Sequence, residues 1–150
     1  MKTLDGFMRQ YPVDIAKSIA ITKVTRSLAQ KECYRNVFRT FTTFPDKFKS
    51  GEWTVAYGYV SISKDLPLLA RHCFITTKDG TVLDPTLALQ ERFRDEPHTY
   101  YIIKQFGSWE EYWMLLKNEK WYPALMKGLK NEDTLAREWC QKNGFLPIGL

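Results

Sequence analysis

Cys33, His72 and Asp84 are the residues whose types and order could do covalent chemistry. A cysteine attacks carbon as its thiolate. A histidine takes the proton and later returns it to a leaving group, and a carboxylate fixes the imidazole tautomer and stabilises its charged form. Backbone N–H groups around Cys33 could receive a developing oxyanion, with Gln30, Tyr57 and Tyr59 as side-chain donors to consider. Taken singly, each member of the trio has a plainer structural reading. A buried cysteine is usually inert, a strand histidine is usually a satisfied core residue, and Asp84-Pro85-Thr86 is a common turn in which the aspartate binds its own backbone. Taken together, these readings weaken. His72 is one of only two histidines and interrupts an otherwise apolar strand, where it costs stability unless paired. His98, beside Pro97 in a polar stretch, carries no such tension. Cys73 is the competing thiol, but as a strand neighbour of His72 it points to the opposite face. Cys140 sits at core spacing and reads as a small buried hydrophobe.

The elements that must position the trio begin with a hairpin. Leu68 to Thr77 is apolar on both faces and reads as a central strand. Lys78-Asp79-Gly80 fits a three-residue loop with glycine in the left-handed position. If Thr77 then pairs with Thr81, Thr76 faces Val82, Ile75 faces Leu83 and Phe74 faces Asp84. Asp84 thus shares the His72 face, diagonally beside it at about 7–8 Å between backbone positions. A two-residue Asp79-Gly80 turn would pair Ile75 with Asp84 and turn the carboxylate to the other face. The trio therefore depends on the longer turn.

Cys33 belongs to a helix. Ser27-Leu28-Ala29-Gln30 has the form of a capping box, and the helix it opens is expected to run to about Thr43, before Pro45. Ala29, Cys33, Val37 and Phe41 lie four apart on its buried side. A break just before Cys33 would instead set it at a helix N-terminus, where the macrodipole favours a thiolate. Trp53 to Ile62 reads as a strand with a large face (Trp53, Val55, Tyr57, Tyr59) and a small one (Thr54, Ala56, Gly58, Val60). The small face invites the Cys33 helix, with Gly58 as a point of close backbone contact.

Around this centre, residues 1–12 read as a loosely attached arm and Asp14 as the cap of a short helix. Phe44 to Gly51 reads as a loop, and Leu87 to Arg94 as helical or irregular. Thr99 to Phe106 is a strand. Ser108-Trp109-Glu110-Glu111 is a second capping box, for a helix through about Leu116. Trp121 to Leu129 is expected to add a turn or two of helix after Pro123. Asn131 is expected to cap a last helix with Leu135, Trp139 and Cys140 inward, ending near Gly144.

The 150 residues, 44% apolar and 26% charged, suffice for one soluble domain with a real core. The aromatic fraction of 15% suggests a well-filled core and an aromatic-lined groove. The net charge of +5 is uneven: residues 1–50 hold ten Lys/Arg against four Asp/Glu, and residues 51–150 hold twelve against thirteen. The basic excess could steer an acidic partner, but no compact Lys/Arg block or nucleic-acid motif accompanies it, and nucleic acid is not expected as a partner. Three unspaced cysteines form no disulfide framework, no secretory signal follows Met1, and no run approaches the ~18 apolar residues of a membrane span. A cytoplasmic, metal-free protein with free thiols and no cofactor is the expectation, since CxxC and HxxxH are both missing.

The rows ECYRNVF, VAYGYVSI and ARHCFITTKDGTVLDPTL together resemble the compact transglutaminase-like branch of the papain-like cysteine hydrolase superfamily. The likeness covers residues from about 27 to 87. It implies an α+β fold, a helix packed on a central antiparallel sheet, with Cys33 as nucleophile, His72 as base and Asp84 as orienting acid. Papain-like enzymes set an oxyanion glutamine further ahead of the cysteine than Gln30 stands here. Residues 1–150 are then one domain, a catalytic-type core over about 27–87 followed by a strand and helices in 88–150 that shape substrate choice. The expected activity is that of a thiol hydrolase or acyl transferase, thiol proteases included, on an amide-type bond of a protein or peptide-like substrate. The alternative is a non-catalytic binding or inhibitor module on the same fold.

Overall fold

A computed structural model describes residues 7–95, 98–118 and 129–148. It is an α+β structure: one six-stranded sheet with helices packed against it. The strands are β1 (Arg9–Tyr11), β2 (Trp53–Ser61), β3 (Leu68–Thr77), β4 (Val82–Leu83), β5 (Tyr100–Gln105) and β6 (Leu146–Ile148). The helices are α1 (Ile15–Val24), α2 (Cys33–Thr43), α3 (Pro45–Lys49), α4 (Trp109–Asn118) and α5 (Lys130–Lys142), and two 3-10 turns cover Leu87–Leu89 and Glu91–Arg94. The sheet order is β1-β5-β2-β3-β4 with antiparallel neighbours, and β6 adds to β3 in parallel. No helix among the described residues is long and apolar enough to cross a membrane.

The sheet is buried on both sides, so β2 and β3 carry apolar residues at successive positions instead of alternating. Val55, Tyr57, Tyr59, Leu69, Cys73, Ile75 and Leu83 share one core with Val37 and Phe41 of α2. Ala56, Val60, Ala70, Phe74, Val82, Tyr100 and Ile102 form a second core on the other side. Helix α2 thus lies over the large face of β2, where Tyr34 stacks on Tyr57, and not over the small face as expected. Gly58 is a close-contact position, but the contact is with β5: a Cβ built on it would lie 1.9 Å from the Tyr101 carbonyl oxygen. The β2–β5 register shifts at this point, between Tyr57 and Gly58.

Several local signals act as read. Asp14 accepts from Lys17 N at 3.0 Å and caps α1. At α4, Ser108 Oγ accepts from Glu111 N while the Glu111 carboxylate accepts from Gly107 N. Other expectations are corrected. The arm does not hang free where it is described, because Arg9–Tyr11 pairs with β5. Pro45 opens α3 instead of only ending α2, its fixed φ suiting the first helical position. Asn131 does not cap α5, whose N-cap position is Leu129. Cys140 faces inward and Trp139 packs on the core as expected, but Leu135 is exposed, and Asp133 and Ala136 are buried beside Cys140. Residues 121–128, expected to be helical, lie outside the described residues.

Candidate active site

The hairpin takes the longer turn. Gly80 has φ +82°, Gly80 N donates to Thr77 O, and Thr77 N donates to Thr81 O. Thr76 then faces Val82 and Ile75 faces Leu83. One step beyond, Asp84 meets the His72/Phe74 face, and His72 Nε2 lies 2.8 Å from Asp84 Oδ2. Tyr100, on β5, donates its hydroxyl to the same oxygen at 2.6 Å. Asp84 Oδ1 accepts from the N–H groups of Thr86 and Leu87, each at 3.0 Å. Ser18 Oγ of α1 accepts from Asp84 N at 3.0 Å. Asp84 is thus held by its backbone N–H from α1 and by its carboxylate from β3, β5 and its own turn, and its side chain is fully buried.

This arrangement sets the charges. Burial alone would push His72 down, but the charge and hydrogen bond of Asp84, then the nearby Cys33 thiol, hold it up at about 10 against an ordinary 6.5. Burial alone would raise Asp84; the charge of His72 and the hydrogen bonds from His72, Tyr100 and Leu87 N–H outweigh it and keep the group below the ordinary carboxylate value. Both directions describe an imidazolium–carboxylate pair at neutral pH. Desolvation, then the Asp84 charge and hydrogen bond, push Tyr100 far up, so it remains a neutral donor.

The linkage has a definite sign. His72 gains affinity for its proton on folding, so its contribution is complete below 6.5 and is lost as pH rises through about 10. Asp84 behaves oppositely: its contribution is present above 3.8 and is lost as pH falls through its lowered value. The urea midpoint of the parent is therefore expected to fall between pH 6.5 and 9.5, by at most about 1.4 kcal/mol of stability per pH unit from this one proton. His72→Gln is expected to fall more gently over the same range. Equal slopes for the two proteins would show that His72 carries no such linkage.

Cys33 is the first residue of α2, so the break just before it is the arrangement found. Ser27 and Lys31 adopt left-handed backbone, φ 62° and 67°, which excludes the helix expected from Ser27 onward. Such conformations cost about 1–3 kcal/mol each in residues with a Cβ and persist only where the surroundings impose them. Glu32, at the N-cap position of α2, makes no side-chain capping bond. Cys33 therefore stands at the positive end of the helix dipole, in the first turn whose N–H groups have no partner within the helix.

The structure brings Cys33 next to His72. The thiol adds to the rise that Asp84 imposes on His72 and, after desolvation, to that of Cys73. As strand neighbours, His72 and Cys73 project to opposite faces. Cys33 itself belongs to the core on the Cys73 side of the sheet, at the start of α2. Among the described residues, the β3 edge away from β2 has no strand partner over residues 71–74, since β4 pairs with Ile75–Thr76 and β6 with Leu68–Ala70. His72 Nε2 is engaged by Asp84, and Nδ1 has no hydrogen bond of good geometry among the described residues. Nδ1 is therefore the nitrogen left for Cys33. Cys33 is 5% exposed, His72 1% and Asp84 0%.

The suggested side-chain oxyanion donors do not join this group. Tyr57 donates its hydroxyl proton to Asp133 Oδ1 at 3.3 Å, and the Tyr34 hydroxyl bonds to Tyr57 in turn. Tyr59 lies across from Arg71, which bonds Asp133 at 2.6 Å. Gln30 is exposed. Tyr100 is the residue sequence reasoning missed. Its signal was a tyrosine in a buried strand, where a hydroxyl needs a partner, but only the sheet order brings it to Asp84. Cys73 and Cys140 are fully buried. Desolvation, then the Asp133 charge, lift Cys140 to about 11.

Comparison of the chain with family models, with curated proteins and with solved structures returned no match.

Proposed function

We propose that this chain is a thiol hydrolase or acyl transferase acting on an amide-type bond through Cys33, His72 and Asp84, in the manner of the papain-like, transglutaminase-like enzymes it resembles. The observation that carries the reading is the free Nδ1 of an Asp84-bound, buried imidazole beside a cysteine at an uncapped helix N-terminus. In the reaction, the Cys33 proton resides on His72 Nδ1 and the thiolate sulfur bonds to the carbonyl carbon. The carbonyl oxygen takes the negative charge, facing the free N–H groups at the start of α2. As the oxygen re-forms its double bond, the C–N bond breaks and His72 gives its proton to the departing amine. The resulting thioester passes its acyl group to water or to a second amine, whose proton His72 accepts, and Cys33 is restored. Asp84 keeps Nε2–H as donor throughout, so that Nδ1 alone exchanges the proton. The expected substrate is a protein or peptide-like amide, the setting is cytoplasmic, and no cofactor takes part.

Labelling with a small thiol-reactive probe, resolved by site, tests this. Cys33 is expected to react faster than Cys73 and Cys140, and His72→Ala to slow it by on the order of a hundredfold. A second reading, a non-catalytic binding module on the same fold, draws support from the near-complete burial of Cys33. That reading requires three thiols of similar rate, unmoved by His72→Ala.

A further inference from the structure

Asn36 stands one helical turn after Cys33 and is fully buried. Its Oδ1 accepts from Ala29 N at 3.0 Å and its Nδ2 donates to Ala29 O at 2.7 Å, so the side chain grips both polar groups of one residue in the strap before the helix. The same Nδ2 donates to Thr86 Oγ1 at 2.9 Å, across fifty positions of sequence. Thr86 is itself buried, and its N–H donates to Asp84 Oδ1. One amide therefore ties three parts together: the strap with left-handed Ser27 and Lys31, the helix that starts at Cys33, and the turn that carries Asp84. A strap held in that backbone form relaxes when its tether is cut.

We infer that Asn36 and Thr86 are positioning residues that set Cys33 against the His72–Asp84 pair. The inference rests on the reading of Cys33 as a nucleophile that exchanges its proton with His72. Neither side chain is argued to touch a substrate. Each acts by fixing the distance between two groups on separate elements, a distance to which proton transfer is steeply sensitive.

The test is a cycle of variants read by the rate of Cys33 labelling. Thr86→Val keeps the side-chain shape and removes one hydrogen bond, and it is expected to slow Cys33 by about tenfold. Thr86→Ser restores the hydroxyl and is expected to restore the rate. In a His72→Ala background, Thr86→Val is expected to change nothing further, because the group it positions is gone. Asn36→Ala is expected to act in the same sense and more strongly; if it does not fold, the Thr86 cycle decides alone. Parent-like labelling of a folded Thr86→Val, or the same slowing with and without His72, overturns the inference. If parent Cys33 is no faster than Cys73 and Cys140, the nucleophile reading itself falls, and the inference with it.

Discussion

Replacing Asp84 by alanine is expected to remove roughly 3–5 kcal/mol of folding stability, the range for stripping one partner from a buried ion pair. The reason lies in the groups left behind. The His72 imidazolium, the Tyr100 hydroxyl and the Thr86 and Leu87 N–H groups all donate to this one carboxylate, in a site closed to solvent. Asp84→Asn separates the two oxygens. An amide oxygen in the Oδ1 position still accepts from the turn, while an NH2 group replaces the acceptor that faces His72 Nε2 and Tyr100. Asparagine is therefore expected to cost less stability than alanine, yet to slow Cys33 labelling about as much, because the imidazole must turn its acceptor nitrogen toward the amide and away from Cys33. Urea unfolding and site-resolved labelling of the two variants read the two effects apart. An alanine variant within about 1 kcal/mol of the parent would mean that Asp84 is not the buried acceptor described here.

The same carboxylate explains what was legible beforehand. Two readings of Asp84-Pro85-Thr86 competed: a turn in which the aspartate binds its own backbone, and an acid that serves His72. Both contacts are made, one per oxygen. The β3–β4 register was legible because it is local. Lys78-Asp79-Gly80 fixes the loop length, and the loop length fixes which face Asp84 takes. The start of α2 was misread because Ser27 and Gln30 match a capping box, while the backbone of the strap obeys Asn36 and Thr86, the latter more than fifty positions away. Tyr100 was missed for the same kind of reason, since β5 pairs with β2 and only thereby comes into reach of the turn after β4. In α5, apolar spacing pointed to Leu135. The helix instead buries Asp133, whose carboxylate takes Arg71 and Tyr57 from the sheet, a polar attachment that a count of apolar residues does not register.

The second large effect is expected at Gly58, which joins the sheet's architecture to the site. Gly58 pairs with His72 on one side and with Ile102 on the other. A methyl group there would lie 1.9 Å from Tyr101 O and 3.0 Å from Tyr101 C, both backbone atoms that cannot swing aside as a side chain can. Relief requires β5 to move away from β2. Overpacking a core by a methyl group costs typically about 1–3 kcal/mol, and a clash with a paired strand belongs at or above the top of that range. Gly58→Ala is therefore expected to lose about 3 kcal/mol or more in urea unfolding. Tyr100 lies on the displaced strand, two residues from Ile102, so its bond to Asp84 loosens with it. Whatever Gly58→Ala retains of its fold is then expected to label more slowly at Cys33, although Gly58 touches neither the thiol nor the carboxylate. Near-parent stability in this variant would contradict the β2–β5 register that brings Tyr100 to the site.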